Sequence, residues 1–375
     1  MCESDNVEKF LEEYKSIYDK YLNFIENEEN IEENYMILTQ IIEDAKIKDF
    51  QHKLRLFLRM VISIANNHQH CPNFYAKIDK TLKYFKDDIK KYFLNSEIFS
   101  IFKSNKRILL FLIKEKIFSV DKFLIKYIQT HGTYDQYLQY FAPEIKPFEN
   151  EKWFPSYFLS MIENLPDNFY ELRMEGENHN YICKLIREDS VKDFIAYINK
   201  NNISLNSKID YSIYETNSLL NQVQLIEYAA SFGSIQIFNF LKREGVKLES
   251  SLWSYVIHSK NEELIHLLED NKLINEELYL TCYAESIKYH HNEVANYFRL
   301  NYLQNNNSCN FYTSLYSLEY YNFSFLENEY INESSFYLLC KHDYYLFVKA
   351  LLTCRNIKIN QKVMYTNKIQ NHVFQ

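Results

Sequence analysis

Glycine and proline are scarce. The chain of 375 residues contains 4 Gly and 5 Pro. Folds built from many short strands need frequent turn residues, so this scarcity disfavours a sheet-rich architecture and favours helices. Long apolar runs are also missing. The longest covers residues 108–113 and is flanked by Lys106, Arg107 and Lys114. A membrane-crossing helix needs ~20 apolar residues, so no transmembrane segment is expected. Gly132, Gly176, Gly233 and Gly245 are too widely spaced for a glycine-rich phosphate cradle. There is no Cys-x-x-Cys pair. The seven cysteines stand at 2, 71, 183, 282, 309, 340 and 354, and residues 1–12 are acidic and polar, unlike a secretory leader. Reduced thiols in the cytoplasm are the expectation. The Asn-x-Ser sequons at Asn202, Asn306, Asn322 and Asn332 are then incidental.

Aromatic residues are abundant, with 33 Tyr and 28 Phe. They carry large apolar area and belong in cores or on binding surfaces. An AT-rich coding bias raises the same residue types and accounts for much of the excess. Hydrophobic residues at 47% and charged residues at 25% match ordinary globular usage. The length is a prior for roughly two domains of ~150 residues. The net charge of −8 is diffuse, and no clustered basic face points to nucleic acid.

Residues 7–25 place Val7, Phe10, Leu11, Tyr14, Ile17, Tyr18, Tyr21, Leu22 and Ile25 at helical spacing, with Glu and Lys on the opposite face. An acidic break covers 26–34. Further helical patterns lie near 35–47, 50–66, 75–94, 97–117 and 119–129. Pro143, Pro147, Pro155 and Pro166 then fall close together, and proline disfavours helix in the residue before it. The reading is an N-terminal helical region at 1–142, a proline-containing junction at 143–177 and a repeat region at 178–375. A kinked connector inside one continuous domain is the competing reading.

Within the repeat region, residues 225–246 carry a recognisable order. Ala229 and Ala230 allow close helix approach. Gly233 suits a turn with positive φ. Ile237, Phe238, Phe240 and Leu241 form the buried face of a second helix, which Gly245 ends. This resembles an ankyrin repeat, two helices after a short turn over ~33 residues. The usual opening Thr-Pro-Leu-His is replaced, with Gln224, Leu225 and Glu227 in its place. The second-helix signature recurs from 194, 264, 294 and 347, with a degenerate copy near 322. Residues 204–223 interrupt this spacing and read as an exposed loop. Lys260, His290 and Asp343 stand where Gly233 stands, and Asn202, Lys272 and Arg355 stand where Gly245 stands, so the other repeats are expected to be irregular.

The stretches Leu-Ile-Glu-Tyr-Ala-Ala-Ser-Phe-Gly-Ser-Ile-Gln-Ile-Phe from Leu225, Ser-Leu-Trp-Ser-Tyr-Val-Ile-His-Ser from Ser251, and Glu-Ser-Ile-Lys-Tyr-His-His-Asn from Glu285 together resemble the DUF3447 family, an ankyrin-like module abundant in protists. The resemblance is closest over 223–300. It implies an all-α, ankyrin-like helical-repeat solenoid preceded by an N-terminal helical region. The family has no established catalytic or ligand-binding residues, so none is transferred. Residues 361–375 depart from the repeat pattern.

Candidate chemistry is sparse. His68, His70 and Cys71 are metal-ligand types, but a closed zinc site needs four ligands and no second local pair supplies them. A polar inter-helix loop is the plainer reading. His290 and His291 lie at a repeat turn, where a hydrogen bond to the turn backbone is expected. His258 and His266 lie on repeat helices, as structural histidines. The pairs Glu262-Glu263 and Glu276-Glu277 suit helix starts. Lys83, Lys86, Lys90 and Lys91, and Lys103, Lys106 and Arg107, read as solvated helix faces rather than as contacts to nucleic acid or anionic lipid. Trp253, with Tyr255 beside it, fits core and interface equally. No catalytic, cofactor-binding or metal residue is assigned. The expected function is a non-enzymatic protein-binding scaffold for an unidentified protein partner. The rivals are an adaptor acting through the N-terminal helices and a metal-dependent enzyme using His68, His70 and Cys71.

Overall fold

The computed structural model describes residues 3–68, 71, 73–130, 134–148, 158–274, 276–304, 306 and 308–354. Among these the chain is all-helical, and the one β-type contact is an isolated antiparallel bridge between Lys208 and Gln224. The first half runs through α1 (Glu3–Glu26), α2 (Ile31–Asp44), α3 (Gln51–Asn67), α4 (Phe74–Tyr84), α5 (Lys86–Tyr92), α6 (Asn95–Phe102), α7 (Lys106–Lys114), α8 (Lys122–Thr130) and α9 (Tyr134–Tyr140). The short helices α10 (Ala142–Ile145), α11 (Phe158–Glu163) and α12 (Phe169–Glu175) follow. Pro143 sits in the first turn of α10, where its missing N–H costs no helical bond. Pro155 lies outside the described residues.

The second half consists mostly of helix pairs. They are α13 (Tyr181–Arg187) with α14 (Val191–Asn201), α15 (Leu225–Phe232) with α16 (Ile235–Arg243), α17 (Leu252–Ser259) with α18 (Glu262–Asp270), and α19 (Glu276–Lys288) with α20 (Asn292–Tyr302). Then come α21 (Cys309–Tyr320) and the pair α22 (Phe336–Lys341) and α23 (Tyr345–Cys354). The first helices pack on one another in chain order, α13 on α15, α15 on α17, α17 on α19, and α19 on α21.

One turn chemistry recurs. Asp189, Gly233, Lys260, His290 and Asp343 all have positive φ between the helices of their pairs. After four of them the next N–H reaches back five residues: Ser190 to Leu185 O, Ser234 to Ala229 O, His291 to Ser286 O and Tyr344 to Leu339 O, at 2.9–3.0 Å. This bond satisfies a carbonyl that the helix end leaves free, and it recompenses the left-handed strain of the non-glycine residues. Asn202, Gly245 and Lys272 repeat the device after second helices. Arg355 lies outside the described residues.

Two apolar cores result. One lies within 183–309, closed by Phe325, and holds Ala229, Ala230, Ile237, Phe238 and Leu241 fully buried, with Phe240 half-buried. Trp253 belongs to it at 1% exposure, and its indole N–H donates to Leu273 O at 3.1 Å. The other joins the N-terminal helices to residues 318–351. There Phe10 meets Phe347 edge-on at 5.1 Å, Ser63 Oγ donates to Tyr320 O at 2.7 Å, and Arg59 pairs with Asp343 at 3.0 Å. The last helix pair thus shares its core with α1 rather than with the preceding pairs.

Residues 204–223 correct an expectation. They are not simply an exposed loop, because Ile209, Ser212, Tyr214, Glu215, Asn217, Leu220 and Val223 are buried. The segment is pinned to α4 and α7, with Tyr75 Oη 2.7 Å from Thr216 Oγ1 and Lys106 Nζ donating to Ile213 O at 3.0 Å. Its buried Ser212 and Asn217 side chains cap the segment's own backbone, while Ser204, Asn206 and Ser218 face water. Asn217 Oδ1, for example, accepts from Leu219 N–H.

Candidate functional site

Three elements converge on one buried point. α1 stops at Glu26, α3 stops one residue before His68, and the turn between α19 and α20 delivers His290 and His291. His68 is 2% exposed. Its Nδ1 lies 2.8 Å from Tyr289 O, and its Nε2 lies 3.2 Å from Glu26 Oε1. A carbonyl and a carboxylate only accept, so both ring nitrogens carry hydrogen and the side chain is an imidazolium. Burial alone would pull its pKa down. The contacts with Cys71 and Glu26 outweigh that and push it up to about 9. Burial likewise pushes the Glu26 carboxyl up, but His68 and then Lys260, 3.5 Å away, hold it below the usual carboxylate range.

The neighbouring histidines are neutral. His291 Nε2 donates to His258 O at 3.0 Å, and the His291 ring lies 4.9 Å from that of His68. His290 Nδ1 is 2.9 Å from Tyr18 Oη. Burial first, and the His68 charge second, pull both well below the ordinary histidine pKa. The His291 side chain thus bonds backbone, that of α17 and not of its own turn as expected, while His290 reaches into the N-terminal helices. His258 Nε2 accepts from the Asn217 side-chain amide at 2.9 Å, and His266 pairs with Glu269 on the surface.

Of the suggested metal ligands, His68 and Cys71 come together, with Cys71 Sγ 3.9 Å from His68 Nε2. His70 lies outside the described residues. No group of three or more His, Cys, Asp or Glu side chains that could hold a metal ion occurs among the described residues.

A second buried polar seam joins α7 to residues 176–217. Glu215 accepts N–H bonds from Asn178 at 3.2 Å and Asn217 at 2.9 Å, and burial pushes its carboxyl up to about 7. Burial pulls the Lys106 ammonium down to about 8. Shifted groups of this kind mark catalytic sites when they face a cleft. Here each binds backbone, which is a structural use. Arg107 is 4% exposed, forks onto Asp79 and donates to Met174 O at 3.0 Å. Lys106 and Arg107 are therefore ties between elements and not part of a solvated face, which corrects the sequence expectation. In the other basic patch, Lys86 and Lys83 flank Glu115 at 3.3 and 4.0 Å, while Lys90 and Lys91 are exposed. Glu262 and Glu263 occupy the first turn of α18, as expected.

Helices α18 to α21 carry what sequence spacing missed. Tyr279 and Tyr302 stack at 3.9 Å, and Glu269 accepts from the hydroxyls of Tyr297 and Tyr302 at 2.9 and 2.8 Å. Leu300 at 58% and Phe311 at 47% are exposed on α20 and α21. Their only signal in the sequence is an apolar residue off the buried stripe of its helix. No helix among the described residues is long and apolar enough to cross a membrane.

Comparison with family models, with characterised proteins and with solved structures returns no match to this chain.

Proposed function

We propose that the chain is a non-enzymatic protein-binding scaffold of ankyrin-repeat type, similar to the DUF3447 module over 223–300, with a protein partner engaged through its helix pairs. The observation that supports this most is the exposure of large apolar side chains, Leu300 on α20 and Phe311 on α21, two helices that both pack on α19, which carries Tyr279 of the Tyr279–Tyr302 stack. A few anchor side chains, aromatic ones above all, carry most of the binding energy of a protein interface. Stacked helix pairs supply a stiff, extended face for them. The five described cysteines are free, which supports residence in the reducing cytoplasm. The test is cross-linking and affinity capture with the full chain beside Leu300→Glu and Phe311→Glu variants whose melting curves match the parent. A defined partner retained by the parent and lost from both variants supports the reading. Equal retention by all three proteins would remove this face from it.

A further inference from the structure

We propose that the face formed by α18 and α20 takes a basic amphipathic segment of a protein partner, its arginines meeting the carboxylates and tyrosine rings and its apolar side chains meeting Leu300. This rests on the reading of the helix pairs as the surface that engages a partner, and it names the chemistry of that partner. Two stripes make the face. Glu262, His266 and Glu269 follow one another at helical spacing on α18, as do Glu293, Tyr297 and Leu300 on α20. The stripes are locked side by side. Glu269 accepts from the Tyr297 hydroxyl at 2.9 Å and from the Tyr302 hydroxyl at 2.8 Å, His266 Nδ1 lies 3.0 Å from the same carboxylate, and the His266 and Tyr297 rings meet edge-on at 6.3 Å.

The exposed charge on this face is nearly all of one sign. Glu262, Glu263, Asp270 and Glu293 are exposed, the Glu293 side chain at 83% although Lys260 lies 3.2 Å away. Among the described residues of 260–302 the one exposed cation is Lys272. Arg299 is half-buried and lies against the Phe325 ring. A surface of this sign favours a cationic partner and speeds its encounter. Arginine is the cation that fits best. Its planar guanidinium stacks on aromatic rings and pairs with carboxylates, and Tyr297, Tyr302 and Glu269 present both. Each hydroxyl that donates to Glu269 also enriches its own ring in electron density, which strengthens the pull of the ring face on a cation. Leu300 stands on the same stripe as Glu293, about 10 Å further along the helix axis. The complement is a segment with a cation and an apolar anchor about two helical turns apart.

The full chain is titrated with two labelled amphipathic peptides that share one leucine pattern, one with arginine and the other with glutamate at the polar positions. Binding is read by fluorescence anisotropy at ~50 and ~200 mM salt. The arginine peptide is expected to bind, and to bind less tightly at the higher salt, while the glutamate peptide does not bind. Glu262→Gln with Glu293→Gln should weaken the arginine peptide roughly fivefold, the effect of two exposed ion pairs. Leu300→Ser should weaken it at both salt concentrations, because salt does not screen an apolar contact. Glu29→Gln with Glu33→Gln, at and just before α2 in the other half, should leave binding unchanged. All of these positions are exposed, so the fold is not at stake. No binding of the arginine peptide, or an equal loss in the two double variants, would overturn the proposal. A parent that sediments as a dimer, with a Leu300→Ser variant that sediments as a monomer, would give the face to a second copy of the chain instead. The first double variant also separates this inference from the scaffold reading. A captured partner lost from Leu300→Glu but fully retained by Glu262→Gln with Glu293→Gln would leave the scaffold standing and remove the basic segment.

Discussion

His68 and Gly233 show how much a single position decides. The imidazolium of His68 is a stability element with a definite pH signature. Its folded pKa, about 9, lies above the ordinary histidine value of 6.5. The stabilisation is therefore complete below 6.5 and is lost as pH rises through 9. Summed over that window the loss is on the order of 3 kcal/mol. His290 and His291 have the opposite sign, since burial pulls them down and their contribution is lost as pH falls below 6.5. Chemical denaturation across pH 5 to 10 should give a dome with both limbs, and His68→Gln should flatten the alkaline limb selectively. An unchanged alkaline limb in that variant would assign it to other groups. Gly233 has φ +66, and an added Cβ would meet Asn261 Nδ2 at 3.2 Å. Gly233→Val should cost roughly 1–3 kcal/mol, because a β-branched residue is strongly disfavoured at positive φ. A thermal melt reads this directly.

At the scale of the element, the helix pair is the unit, and its tolerance comes from the turn. The amide that reaches back five residues closes the first helix of a pair whether the left-handed residue is Asp189, Gly233, His290 or Asp343. Side-chain identity there is relaxed because the backbone bond does the closing. Close approach of the first helices is not relaxed. Ala229 and Ala230 are both fully buried, and α15 lies against both α13 and α17. Ala230→Phe should overfill that contact and destabilise by ~1–3 kcal/mol. A variant that melts with the parent would show that α15 can shift to make room.

Across the whole molecule, α1 and α23, the first and last helices among the described residues, are tied. Phe347 of α23 packs against Phe10 of α1 and stacks on Tyr344, and Arg59 pairs with Asp343. Removing the Phe347 ring would leave a cavity in a core built from both halves. Phe347→Ala should cost roughly 3–5 kcal/mol. It should also raise amide hydrogen exchange in α1, more than three hundred residues away in sequence. Exchange confined to α22 and α23 would mean that the shared core does not couple them.

The helical class was legible in the residues alone, because few Gly and Pro combined with 3.6-residue apolar spacing leave little else. So were the turn at Gly233, the alanine contact and the buried face from Ile237, since each depends on local sterics and short-range periodicity. The non-glycine turn positions at Lys260, His290 and Asp343 were also found, because they hold register with Gly233. The burial of 204–223, the seating of Arg107 and the docking of the last helix pair on α1 were not legible. Each depends on partners far away in sequence, 28 and 67 residues for Arg107 and more than a hundred for the other two, on surfaces that composition cannot orient. His68 is the clearest case. In the sequence it is one histidine in a polar loop. Its charge arises only when Glu26, Cys71 and the carbonyl of Tyr289 are brought around it, because the charge state of a buried ring is set by the acceptors it meets.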